Sequence, residues 1–110
     1  MITHEFVLSP KVPHGICFTD FKKEDMVVIS DDFILENFMH IKKVRMYCQK
    51  IGQEICGLDY HGITIITSDM ANNLAKELSN CCKKSKDLSK LIAILEKAIT
   101  NQSYVIHFGV

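Results

Sequence analysis

Five histidines (His4, His14, His40, His61 and His107) and five cysteines (Cys17, Cys48, Cys56, Cys81 and Cys82) are the side chains of this 110-residue chain with the most chemistry to offer. Their spacing withholds most of it. No Cys-x-x-Cys or Cys-x-x-His pattern is present to seed a zinc site, and no two histidines stand four apart on a helix. A nucleophilic thiol activated by imidazole would have to be assembled in space, from Cys17 or Cys56 with His61 or His107. The five glycines never gather into GxGxxG or GxxxxGK[ST], so no phosphate cradle is signalled and no cofactor or metal is expected. Paired carboxylates occur at Glu24 with Asp25 and at Asp31 with Asp32, but such neighbours ordinarily cap helices or solvate turns. His107, beside Phe108 in an apolar run, reads as a structural histidine bonded to backbone. The expectation is a protein that binds rather than catalyses.

Charge is more informative in its distribution than in its sum. Thirteen basic residues balance thirteen acidic ones, which disfavours direct, non-specific binding to nucleic acid. Residues 20–36, however, hold six carboxylates (Asp20, Glu24, Asp25, Asp31, Asp32, Glu36) against Lys22 and Lys23, a local charge of −4. Lys42, Lys43, Arg45 and Lys50 follow, and residues 83–90 form a second basic stretch. An acidic face of this kind steers and docks a basic partner. No apolar run approaches the roughly 18 residues of a membrane span, and His4 and Glu5 stand where a signal peptide carries basic residues. A cytoplasmic protein with reduced thiols and no membrane partner is expected.

The elements that must position these residues follow from periodicity. Residues 5–8, 15–19 and 26–30 are short apolar runs separated by Pro10, Pro13 and charge, and read as strands. From Asp32 the period changes: Ile34, Phe38, Ile41, Val44, Cys48 and Ile51 recur at helical spacing, with Asp31 or Asp32 as N-cap and Gly52 as terminator. Residues 54–67 (EICGLDYHGITIIT) suit two short strands, or one bent through Gly57 and Gly62, near the sheet centre. Ser68 is the expected cap of a second helix (Ala71, Leu74, Ala75, Leu78, Cys82), and Asp87 that of a third (Leu88, Leu91, Ile92, Leu95, Ala98, Ile99). After a turn at 101–103, Tyr104–Phe108 reads as a buried strand. One domain spanning 1–110 is expected, of α+β class: a mixed or antiparallel sheet with about three helices packed on it and the C-terminal strand in the sheet.

Two segments, GLDYHGITII at 57–66 and YVIHFGV at 104–110, with the helix between them, resemble the pattern of bacterial immunity proteins of contact-dependent growth inhibition. In that family a G-[LI]-D-Y-[YF]-G-[IF]-T-L-I segment precedes a helix and the chain closes on His-Phe-Gly. His61 stands here where an aromatic is usual, and Ser68 replaces a proline-containing helix entry. The resemblance implies that the chain neutralises a cognate toxin domain, such as the C-terminal nuclease domain of an effector, by obstructing its active site. A nuclease must offer positive charge to phosphate, so carboxylates suit its cleft. The contact candidates are then Asp20, Glu24, Asp25, Asp31 and Asp32, followed by Glu36 and Asp59, with Tyr60 as an aromatic anchor. Two other readings stand beside this one: an oligomeric regulatory module pairing through a strand edge or a helix face, and a small Cys/His enzyme.

Overall fold

Alternation along the first strand decides which face the helices cover. The computed structural model describes residues 2–10, 23–81 and 83–110; the expected strand at 15–19, Asp20, His14, Cys17 and Cys82 lie outside them. In β1 (Thr3–Ser9), His4 and Phe6 point to the helix-covered side and are fully buried. A 3-10 turn (Lys23–Asp25) leads into β2 (Met26–Ser30), which pairs antiparallel with β1. The chain continues through α1 (Asp31–Glu36), α2 (Phe38–Ile41), β3 (Arg45–Cys48), β4 (Gln53–Cys56), β5 (Ile63–Ile66), α3 (Ser68–Cys81), α4 (Lys86–Asn101) and β6 (Tyr104–Phe108). The strand order is β2-β1-β6-β5-β3-β4, and every neighbouring pair is antiparallel.

This is the expected α+β architecture, with six strands and four helices among the described residues and the C-terminal strand inside the sheet. β6 lies between β1 and β5, so both ends of the chain are tied together at the middle of the sheet. The core fills the space between the sheet and the helices. Phe6, Ile29, Met46, Ile66 and Val105 come from the strands; Leu74 and Leu78 from α3; and Leu88, Leu91, Ile94, Leu95 and Ala98 from α4. Each fully buried leucine or isoleucine contributes roughly 1.5–3 kcal/mol relative to exposure. A second apolar row, Val7, Ile106 and Ile65, runs across the opposite face in register and is also buried.

The expected helix through Ile51 is corrected. Helical geometry holds as far as Ile41, after which Arg45–Cys48 is a strand and Gly52, at φ +66°, turns it into β4. Ile41, Val44 and Cys48 fit both periods, and what decides is the Tyr47–Ile65 and Cys48–Thr64 pairing to β5. Ile51 is exposed instead of buried. All three expected caps also move upstream onto a hydroxyl. Ser30 accepts from Phe33 N, Thr67 from Met70 N and Ser85 from Leu88 N, leaving Asp31 and Asp87 in the first turn where the helix dipole favours them.

Candidate functional site

Two groups of side chains stand out, and they meet at consecutive residues. The first is a buried hydrogen-bonded chain on the helix-covered side of the sheet. Register places His107 of β6 opposite Phe6 of β1 and Thr64 of β5, with His4 two residues along β1. His4 Nδ1 lies 2.9 Å from His107 Nε2, and His107 Nδ1 lies 3.2 Å from Thr64 Oγ1. At the other end His4 Nε2 donates to Asp31 Oδ1 at 2.9 Å, and the Tyr60 hydroxyl donates to the same oxygen at 2.5 Å. Thr64 Oγ1 also accepts from the Asp59 N–H at 2.8 Å.

The electrostatics follow from burial and from these bonds. Burial, and secondarily the charge of His4, push His107 down to about 3, so its ring is neutral. The Tyr60 and His4 hydrogen bonds hold Asp31 below the usual carboxylate range, and the same bond raises Tyr60. Two proton arrangements satisfy the chain. In one, neutral His4 accepts from His107 Nε2–H while the Thr64 hydroxyl donates to His107 Nδ1. In the other, cationic His4 donates to both neighbours and His107 Nδ1–H donates to Thr64. His4, His107 and Thr64 are 0% exposed, so these bonds are made out of reach of solvent.

The loop between β4 and β5 and the C-terminus close over this chain. Gly109 N–H donates to Gly62 O and Val110 N–H to Tyr60 O, at 2.8 and 2.9 Å. A Cβ on Gly109 would collide with the Tyr60 carbonyl, which is why glycine stands there. Asp59 accepts from the Cys48 thiol at 3.4 Å, while Cys56, the other described free thiol, is exposed. The segments GLDYHGITII and YVIHFGV are therefore one structural unit, joined backbone to backbone. His107 bonds to side chains, where a backbone partner was expected.

The second group is an exposed stripe on α1 and α2. Asp32, Leu35 and Glu36 on α1, Met39 on α2, and Lys42 and Lys43 just after it are all exposed, across a break at Asn37 whose backbone (φ −108°, ψ 13°) leaves the helical range. Leu35 is 55% exposed and Met39 74%, unusual for side chains of this size side by side. A depression of about 270 Å³ is lined by Ile2, Ser30, Asp31 and Asp32, beside the head of α1.

The sequence-expected contact residues are thus divided among several places. Asp20 lies outside the described residues. Glu24 and Asp25 sit in the 3-10 turn before β2, whereas Asp32 and Glu36 lie beyond its far end. Five strand residues span about 17 Å, and between the two pairs Lys90 Nζ donates to Val28 O at 2.8 Å. Asp31, 9% exposed, belongs with Tyr60 to the buried chain, and Asp59 to the loop that covers it. Sequence reasoning missed His4, Thr64, Leu35 and Met39. His4 was legible as an inward position of an alternating strand, but Leu35 and Met39 carried no signal apart from lying off the apolar helical face.

No family model and no curated protein matches the chain. Among solved structures, the Neisseria DNA mimic protein DMP12 is similar, with a TM-score of 0.63 and 17% identity, covering 98% of this chain and 99% of that one. This corrects the expected partner. The fold that carries the two motifs is shared from end to end with a protein named for imitating DNA, and the motifs themselves serve the scaffold. They hold a loop to a terminus and carry no information about a toxin domain.

Proposed function

We propose that this protein is a non-catalytic cytoplasmic binding domain that docks on the basic surface of another protein, one that ordinarily binds DNA, and that it does so through the α1–α2 stripe. The observation that carries this reading is the pair Leu35 and Met39, held in solvent beside Asp32 and Glu36. Apolar anchors within a charged rim are what a docking surface needs: the anchors supply affinity, and the carboxylates supply rate and selection. The structural likeness to a DNA mimic supports a DNA-binding protein as the partner class. Because the whole chain is neutral, the imitation is local, with carboxylates standing in for a few phosphates on one helical face.

The test is displacement. A fluorescent duplex is bound to each of a panel of the host's abundant DNA-binding proteins, and its anisotropy is followed as this protein is added. Release of the duplex from at least one, weakened more than tenfold by Asp32→Lys with Glu36→Lys and by added salt, is the expected result. Failure to release duplex from any of them, or release indifferent to the charge reversals, would sink the proposal.

A further inference from the structure

A hydrogen bond between two imidazoles limits how many protons the pair can hold. His4 Nδ1 and His107 Nε2 stand 2.9 Å apart, and neither ring reaches solvent. One of those nitrogens must donate and the other accept, so both rings cannot be cationic while the bond stands. The outer nitrogens are constrained as well. His4 Nε2 faces Asp31 Oδ1, which as a carboxylate oxygen only accepts; His107 Nδ1 faces the Thr64 hydroxyl, which can donate or accept. The chain thus has a fixed direction at its carboxylate end and a reversible one at its hydroxyl end.

We propose that the buried chain is a proton-linked switch: proton uptake by His4 moves the hydrogen of His107 from Nε2 to Nδ1 and turns the Thr64 hydroxyl away from the ring. With His4 neutral, His107 Nε2–H donates to His4 Nδ1 and the Thr64 hydroxyl donates to His107 Nδ1. Once His4 carries N–H on both nitrogens, its Nδ1–H needs an acceptor, and His107 Nε2 can serve only by giving up its own hydrogen. His107 keeps a single N–H, now on Nδ1 and donating to Thr64 Oγ1, and Thr64 keeps its proton. The balance is one proton gained, at His4.

Few charged or titratable groups bear on this step. Asp31 on α1 is the counter-charge, and Tyr60 donates to the same carboxylate oxygen. His107 on β6 is the relay. Glu5, the next residue of β1, points to the other face of the sheet, and Asp87 on α4 accepts from Ser30, beside Asp31. The switch is felt at both ends. At the head of α1 the cation balances the Asp31 charge, in the depression that Asp32 also lines. Under the loop before β5, Thr64 Oγ1, already accepting from Asp59 N–H, accepts a second N–H.

Nuclear magnetic resonance of the whole protein with 15N-labelled histidine tests this, because ring-nitrogen shifts distinguish the two neutral tautomers from the cation. Spectra are compared from about pH 8 to about pH 4, around the ordinary histidine value. His4 should pass from one N–H to two, and at the same midpoint the His107 hydrogen should move from Nε2 to Nδ1 with no second proton gained. Asp31→Asn removes the counter-charge but leaves an acceptor oxygen for His4 and Tyr60, and should lower that shared midpoint by at least about one pH unit. A His107 tautomer that is the same on both sides of the His4 midpoint overturns the switch. So does a His4 that stays neutral until the protein unfolds, or a midpoint indifferent to Asp31→Asn in a folded variant. Where that variant does not fold, the wild-type titration decides by itself. Neither result depends on what the α1–α2 stripe binds.

Discussion

Asp31 and Asp32 are neighbours in sequence, yet they serve regions governed by different physics. Asp31 faces inward, where Tyr60 and His4 both donate to one of its oxygens and the chain runs on through His107 to Thr64. Asp32 faces solvent, beside Leu35 and Met39, whose distinguishing feature is that neither is buried. The buried chain joins two histidines, a carboxylate and two hydroxyls and has almost no access; the stripe has access and only ordinary side chains. In the first region each polar group depends on its partner, so loss of one leaves another unsatisfied in a low-dielectric interior. In the second, side chains are nearly independent of the fold, and changes there register in binding.

The contrast breaks most visibly under His107→Ala. Removing this ring orphans His4 Nδ1 and opens a cavity, and should cost about 2–4 kcal/mol in urea denaturation. A cost below 0.5 kcal/mol would mean that the chain does not order the fold. Gly109→Ala should cost about 1–3 kcal/mol, because the added methyl must displace the Tyr60 carbonyl that the C-terminus grips. An unchanged denaturation midpoint would show that the closure is slack.

Acid should act on the buried region before the stripe. Folded His107 stays neutral down to about 3, whereas the unfolded residue takes up a proton near 6.5. The unfolded state binds more protons between those values, so stability should fall as pH drops through that window, by at most about 1.4 kcal/mol per pH unit for one proton. Asp31, whose folded carboxyl titrates below 3.8, adds a further loss as it is protonated at still lower pH. Urea midpoints across pH check this, and His107→Ala should flatten the upper part of the profile.

Smaller effects sharpen the comparison. Ser30→Ala removes the α1 cap and the 2.6 Å hydrogen bond to Asp87, and should cost about 1 kcal/mol, read as a lower urea midpoint. Leu35→Ser with Met39→Ser should change stability by less than about 0.5 kcal/mol while abolishing duplex displacement. A large loss of stability there would place the stripe with the core.

How much of this was legible in the sequence depends on the range of the interaction that decides it. Strand and helix identity at β1, β2, α3, α4 and β6 followed from period and composition, because each buries one face whose pattern is local. So did the α+β class and the C-terminal strand in the sheet. The segment from Val44 to Gly52 did not, because its apolar spacing suits helix and strand alike until β5 pairs with it. Caps were misplaced by one or two residues, since Ser, Thr and Asp are similar cap formers and packing chooses the register.

For the site, sequence alone identified the residue types and marked 20–36 as acidic, which is a sum over neighbours in the chain. The tertiary structure decided which carboxylates reach solvent. Whether Asp31 turns inward depends on His4 and Tyr60, 27 and 29 residues away, brought there by strand pairing. The same pairing joined His4 to His107 across 103 residues, a contact that no local pattern encodes. Composition set the charges this protein has; the sheet set where they can be used.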